Sequence, residues 1–331
     1  MALGNFLTLS AIGGSLCRMT QKQRWTAEHI PDQTGRLSVV TGANSGLGLA
    51  TARALAAHGG QVILAVRDQD KGHRAVKDIA AAHPGAEARL DVRGLDLADL
   101  DSVRAFADRL HAERRSIDVL INNAGVMAPP RTLSPQGHEL QFAGNHLGHF
   151  ALTGLLLDLL SRGRDPRVVT VTSVNHRKAS IHFDDLTGAR RYSPMGFYDQ
   201  SKLANAVFGR ELHRRLTAAG SPVRSVLAHP GYTATNLQTN GPTKLVSLLF
   251  GRLLKPLAQS PADGALPQLY AATAPEADGG HLIGPDGRGE LRGAPARVEL
   301  GAPAKDPATA RRLWEVSERS TDVRFVIPAS V

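Results

Sequence analysis

The sequence predicts a single α/β domain, a doubly wound parallel sheet covered by helices on both faces in three layers. Strand and helix signals alternate from Arg36 onward, the rhythm of a parallel sheet whose crossovers are helices. Most strand runs are short, β-branched and almost continuously apolar, as burial on both faces requires. No linker with a new periodic core behind it, no internal repeat and no low-complexity tract breaks the 331 residues, although that length would hold two domains of roughly 100 to 200 residues each.

The elements follow in order. Residues 37–40 read as a strand, then a glycine-rich turn and a helix over 49–58 that stops at Gly59-Gly60. Residues 61–66 are the second strand. A helix near 71–82 precedes a strand near 88–95, a helix over 101–114 precedes a strand at 117–121, and a long helical region over 138–160 precedes a strand at 167–172. A helix over 199–218 leads to a strand at 223–228. Residues 231–257 then read as loop and short helix, either a lid over a cleft or a plain surface excursion. Residues 260–272 read as helix despite Pro267, 280–283 as a last strand, 285–303 as turn-rich and 308–318 as the closing helix. The organisation expected is an N-terminal extension over 1–34 and one domain over 35–331, with substrate-loop segments near 174–197 and 232–257.

Composition narrows the classes. With 42% hydrophobic residues, 21% charged, 33 Gly and 19 Pro, the chain has material for a real core and for many turns. The formal charge of +9 and pI near 10.1 would attract phosphates or an anionic surface, but the basic residues are scattered rather than gathered in an aromatic-laced patch. A solvated surface is therefore expected, with no nucleic-acid partner. Cys17 is the only cysteine, which excludes an intrachain disulfide and a cysteine-based zinc site and fits a reducing, cytoplasmic setting. The first eighteen residues are mildly apolar, carry no early Lys or Arg and are too short to span a bilayer; they read as a loose tail, with Met19 as an alternative first residue. The apolar run at 152–160 is interrupted by Gly154 and Asp158, so no membrane span is expected.

The turn Thr41-Gly42-Ala43-Asn44-Ser45-Gly46-Leu47-Gly48 lies between the first strand and its helix. A pyrophosphate there would meet unpaired backbone N–H groups and the positive helix end. The discriminator between NAD and NADP sits just past the second strand, where an acid would bond the ribose 2′-OH and repel a 2′-phosphate. Here that position is Val66, followed by Arg67, whose guanidinium can hold a phosphate bidentately. NADP(H) is expected over NAD; the alternative for Arg67 is a surface pair with Asp68. Tyr198 and Lys202 are four apart in Tyr198-Asp199-Gln200-Ser201-Lys202, which puts them on one helical face. A nearby ammonium and a positively charged nicotinamide would favour the phenolate of a tyrosine whose ordinary pKa is ~10. Ser173 follows a strand at the carboxyl edge of the sheet, where α/β ligands bind, and Thr172 should face the other way.

These motifs together resemble the short-chain dehydrogenase/reductase family over about residues 35–283, which implies a Rossmann-type fold. The resemblance implies that Gly42, Asn44, Ser45, Gly46, Leu47 and Gly48 line the coenzyme. It also implies that Asp96 bonds the adenine amino group beside a backbone contact at Leu97, with a helix N-terminal acid as the alternative for Asp96. Asn123, Ala124 and Gly125, in Asn122-Asn123-Ala124-Gly125, pass beside the ribose. Pro230, Gly231 and Thr233, in His229-Pro230-Gly231-Tyr232-Thr233, contact the nicotinamide amide and phosphate. Tyr198 is the implied acid/base, Ser173 polarises the substrate oxygen, Lys202 binds ribose and lowers the tyrosine pKa, and Asn145 kinks its helix and holds a water against the lysine. No metal is implied, and His146 and His149 read as packing or water contacts rather than ligands.

The longer segment between Ser173 and Tyr198, the run Asn145 to Phe150 and residues 66–72 resemble the retinol dehydrogenase-like branch and its bacterial relatives. The function implied is an NADP(H)-dependent oxidoreductase interconverting a small-molecule alcohol with an aldehyde or ketone. Relatives pair through two long helices or remain monomeric, so homo-oligomerisation stays open. The alternatives are a nucleotide-sugar epimerase or dehydratase, whose turn is spaced TGxxGxxG, and a non-catalytic NADP-binding sensor, which would lack part of the set Asn145, Ser173, Tyr198 and Lys202.

Overall fold

The computed structural model describes residues 24–114, 116–233 and 258–328. Among these residues eight strands form one sheet: β1 (Leu37–Thr41), β2 (Gln61–Val66), β3 (Leu90–Gly94), β4 (Val119–Asn122), β5 (Arg167–Val171), β6 (Arg224–Ala228), β7 (Leu282–Pro285) and β8 (Pro295–Val298). Their spatial order is β3-β2-β1-β4-β5-β6-β7-β8. Every pairing is parallel except β7 with β8.

Side chains one residue apart on a strand face opposite ways, and the two cores divide accordingly. Val39, Ile63, Leu120 and Val168 stand in register across β2, β1, β4 and β5 and pack on one face. Their neighbours Val40, Leu64, Ile121 and Val169 are likewise in register and pack on the other. The chain runs outward from β1 to β3 and returns to β4 beside β1, so the strand order reverses there and leaves a crevice outside the carboxyl ends.

The helices are α1 (Gly46–Ala57), α2 (Gln69–Ala82), α3 (Leu100–Glu113), α4 (Gly148–Leu155), α5 (Leu157–Ser161), α6 (Pro194–Ala218), α7 (Pro261–Thr273) and α8 (Pro307–Thr321), with a π-helical turn at Phe142–Leu147 leading into α4. Side chains of Asp68, Asp99, Ser193, Ser260 and Asp306 accept backbone N–H bonds at the starts of α2, α3, α6, α7 and α8, which satisfies donors the helix cannot. Proline in the first turn of the last three fits because its missing N–H is not needed there. No helix among the described residues is long and apolar enough to cross a membrane.

Two expectations need correction. Residues 285–303 are not merely turns: β8 pairs antiparallel with β7 at the sheet edge. Pro295 opens it and is its one buried residue, so these four residues give too little periodicity to read, although a first-residue proline on an edge strand is sterically ordinary. The helix expected over 138–160 is not continuous either, being wound wide at 142–147 and broken near Leu156. Of the expected N-terminal extension, residues 24–34 lie against the domain. Ile30 and Gln33 are buried, and Trp25 meets Tyr270 edge-on with ring centroids 5.4 Å apart. Cys17, Met19 and most of the expected segment 232–257 lie outside the described residues.

Candidate active site

The glycine-rich turn closes on itself. Gly42 has φ +67°, and a Cβ on Gly48 would come within 2.3 Å of the Gly42 carbonyl oxygen, so a side chain at 48 would open the turn. Thr41 holds it from beneath, its Oγ1 accepting the backbone N–H groups of Asn123 (2.9 Å) and Ala124 (3.0 Å). The Asn123 amide donates to the Thr41 carbonyl at 2.8 Å. Ser45 occupies the N-cap of α1 yet makes no capping bond. The first N–H groups of α1 are thus left without a side-chain acceptor beside a cradle that admits no Cβ, which fits a dinucleotide pyrophosphate.

Arg67 is exposed at the end of β2 and makes no hydrogen bond or ion pair with another described residue. The alternative pairing with Asp68 is not formed, because Asp68 caps α2 through the Lys71 N–H (3.0 Å) and lies 3.3 Å from Lys71 Nζ. The Asp96 carboxylate accepts the Ala98 N–H at 3.0 Å. It is not the helix N-terminal acid either, since Asp99 is the cap of α3. Leu97 is buried in the core. Pro230, Gly231 and Thr233 lie beyond β6, with the Thr233 hydroxyl donating to the Pro230 carbonyl at 3.0 Å. Asn44 and Leu47 flank Ser45 and Gly46 at the start of α1, Leu47 buried and Asn44 partly open.

Four groups meet across the crevice. Tyr198 and Lys202 project from α6, Ser173 follows β5, and Asn145 sits in the wide turn before α4. The Ser173 hydroxyl faces the Tyr198 phenol and favours its ionised form, and Lys202 Nζ lies 5.8 Å from the Tyr198 ring centroid. Lys202 donates to the Val171 carbonyl at 3.3 Å, and Thr172 donates to the Lys202 carbonyl at 2.7 Å. A Cβ on Gly125 would lie 3.2 Å from Asn145 Oδ1 and 3.5 Å from Lys202 Nζ, so Gly125 passes directly over both. The Asn145 side chain is fully committed: Oδ1 accepts the Val126 N–H (2.8 Å), and Nδ2 donates to the Val126 carbonyl (3.0 Å) and Ser201 Oγ (2.9 Å). Its backbone carbonyl, which accepts one bond from His149, keeps a second lone pair for a water.

Among the chain's own groups, burial pushes the Tyr198 phenol up to about 12, the Ser173 hydrogen bond pulls it down and the charge of Asp199 raises it further. Burial pulls the Lys202 ammonium down to about 8. The lysine therefore does not by itself make the phenol acidic, as the four-residue spacing suggests: burial, Ser173 and Asp199 set its pKa. The Asp199 carboxyl is raised by burial and held by the Asn175 amide at 2.6 Å.

His149 bridges Thr41 Oγ1 and the Asn145 carbonyl, each at 2.9 Å. Its Nδ1–H donates to that carbonyl, which leaves Nε2 to accept from the threonine. His146 Nε2 lies 2.8 Å from Ser317 Oγ. Both imidazoles are buried and pulled down, to about 4 and about 3 respectively.

A further cluster beside the site has no motif in the sequence. Glu290, in the segment expected to be turn-rich, accepts from Arg177 and His229. His176 Nδ1–H donates to the Ser173 carbonyl at 2.6 Å while its Nε2 accepts the Gly301 N–H at 3.0 Å. The only local signal is the Gly287-Arg288-Gly289 turn, which says nothing of a carboxylate reaching across 61 or 113 positions.

Comparison with known proteins matches residues 36–245 to the short chain dehydrogenase family. The chain belongs to the short-chain dehydrogenase family. Mouse retinol dehydrogenase 12 is 40% identical over 283 residues, covering 86% of this chain and 85% of that one. Mouse polyprenol dehydrogenase is 41% identical over 298 residues, covering 88% and 85%. A crystal structure of an uncharacterised protein from Mycobacterium paratuberculosis superposes with TM-score 0.76 at 44% identity, covering 92% of this chain and all of that one. This short-chain dehydrogenase is thus of the retinol dehydrogenase-like kind, an oxidoreductase acting on CH–OH groups with a nicotinamide dinucleotide. The epimerase, dehydratase and sensor alternatives fall away.

Proposed function

We propose that the enzyme interconverts an apolar alcohol and its aldehyde or ketone using NADP(H), with Tyr198 as acid/base. The observation that carries the reading is the meeting of the Tyr198 phenol, the Ser173 hydroxyl and the Lys202 ammonium at the carboxyl edge of the sheet. The dinucleotide, when bound, supplies or accepts the hydride. Ser173 orients and polarises the substrate oxygen, and Tyr198 gives that oxygen a proton in reduction or takes one in oxidation. Lys202 reaches the ribose, and the Asn145 carbonyl holds a water towards it. Gly42, Asn44, Ser45, Gly46, Leu47 and Gly48 would hold the pyrophosphate end, with Asp96, Leu97, Asn123, Ala124 and Gly125 along the adenosine and ribose and Pro230, Gly231 and Thr233 at the nicotinamide.

NADP is favoured over NAD because unpaired Arg67 follows Val66 where an acid would otherwise stand. Retinol and polyprenol, in the names of the two relatives, are apolar alcohols, and residues 174–197 border the site where such a chain would lie. The test is Tyr198→Phe assayed by NADPH absorbance against retinaldehyde and a panel of other aldehydes and ketones. Turnover should fall by about 10³-fold, with NADPH affinity within about threefold of wild type because the ring and its packing stay. Unchanged turnover refutes the assignment.

A further inference from the structure

Three loops leave the carboxyl edge beside the site: the turn after Ser173, the loop His229 to Thr233 after β6, and the turn between β7 and β8. They meet at one carboxylate. Glu290 accepts two bonds of 2.7 Å from Arg177 Nη2 and one of 2.8 Å from His229 Nε2. The roles of the His229 ring nitrogens follow, since its Nδ1 accepts the Gly231 N–H at 3.2 Å, leaving Nε2–H to donate. Arg177 reaches on to the Glu299 carbonyl at 2.9 Å. The neighbouring His176 ties the Ser173 carbonyl to Gly301.

The backbone is drawn in to make this meeting. Glu290 has φ +55°, a left-handed conformation that costs a non-glycine residue free energy and persists where surroundings impose it. Gly231 lies flush on the same turn, since a Cβ there would come within 2.5 Å of the Leu291 carbonyl oxygen and 2.9 Å of that of Glu290. The Tyr232 N–H donates to the Leu291 carbonyl at 2.8 Å. A Cβ on Gly284 would be 2.1 Å from His229 Nε2, so β7 walls in the imidazole and gives it no other partner.

We infer that Glu290 is a positioning residue, a clamp that fixes the turn carrying Ser173 against the loop carrying Pro230 and Gly231. This rests on the proposed function only in that these two loops face the substrate oxygen and the nicotinamide. Without the carboxylate, Arg177 and His229 lose a common acceptor and the two loops move independently. The carboxylate touches neither reactant and acts through the two loops.

The test compares wild type with Glu290→Gln, which keeps the volume and left-handed turn but cannot accept from both donors as a charged group, and with Glu290→Ala, Arg177→Ala and their double variant. Amide hydrogen exchange on the full chain should quicken by about tenfold in residues 174–177 and in 231–232 together, with the distant β1–β3 region unchanged. Quickening confined to 287–293 overturns the clamp. In turnover, Glu290→Gln should lower kcat and raise the KM for NADPH, each by about tenfold as expected for a charged bond lost. The double variant should lose no more than Glu290→Ala alone. Loss of kcat alone in step with a loss of folded protein marks a merely structural residue and also overturns it. A wild-type chain that neither binds NADPH nor turns over a carbonyl would refute the proposed function, and the exchange pattern would still decide the clamp.

Discussion

The two ends of the sheet are built on opposite principles. At the amino end the buried charged groups bond to the chain itself. Asp118 accepts the Leu37 and Arg164 N–H groups, and Asp165 pairs with Arg167 and Arg224. Arg167, fully buried, also donates to the Ala271 and Ala274 carbonyls at 3.1 and 2.7 Å. At the carboxyl end polar groups keep capacity in reserve: Ser45 caps nothing, Arg67 is unpaired with any described residue, and Lys202 is held by a long bond to a single carbonyl. Ser193 and Ser260 are the same residue type in the same N-cap position as Ser45, and both cap. Both of those serines also stand at the carboxyl end, so capacity is held back not along that whole end but at the glycine-rich turn, Arg67 and Lys202, where a ligand would lie.

Acid should separate the ends with the largest effect. His146 and His149 have folded pKa values pulled to about 3 and about 4, below the ordinary 6.5, so the unfolded chain takes up protons that the native one refuses. Their contribution is complete above pH 6.5 and is lost as pH falls from there towards 4, at about 1.4 kcal/mol per proton per pH unit. Asp165 is held below the usual carboxylate range by Arg167 and Arg224, against its burial, so the amino end stays paired through that window. Denaturant melts between pH 7 and 4.5, read with hydrogen exchange, should show stability falling and protection lost first around 142–155. A pH-independent melt contradicts this.

Asp165→Ala attacks the other end. It strands the buried Arg167 guanidinium and should cost about 2–3 kcal/mol, less than the full penalty for breaking a buried pair because Asp165 is itself partly exposed. The specific activity of the protein that remains folded should be unchanged. A loss of activity at full folding would show that the ends are not independent.

The smallest effect should come from Arg67→Ala. NADPH affinity should fall by about tenfold for a lost charge-assisted contact to the 2′-phosphate, while NADH affinity and thermal stability stay put, by fluorescence titration and melting. Equal losses for both dinucleotides would remove Arg67 from the selectivity role.

Legibility in the sequence divides along the same line. The strands are short, nearly continuous apolar runs and the glycine turn needs φ values that only glycine takes freely, so β1, α1 and the crevice could be read from neighbours in sequence. Tyr198 and Lys202 were legible because a helix turns their spacing into a shared face. Glu290 was not, because its two partners are brought to it by the sheet and not by the chain around it. The pKa order of Tyr198 and Lys202 was hidden for a related reason: spacing places a lysine near a tyrosine, but burial, Ser173 and Asp199 decide which group is perturbed and how.

The wide turn at Phe142–Leu147 carries one more consequence. Such a turn accommodates one residue more than an ordinary helical register, and each residue of an α-helix is rotated by about 100° from the last. Removing one residue from this stretch would let it wind as an ordinary helix between flanks that keep their places, and would take away the bulge that sets the Asn145 amide on Val126. Chain length is therefore as tightly specified here as side-chain chemistry, and this stretch should tolerate conservative exchanges of residue far better than the loss of one.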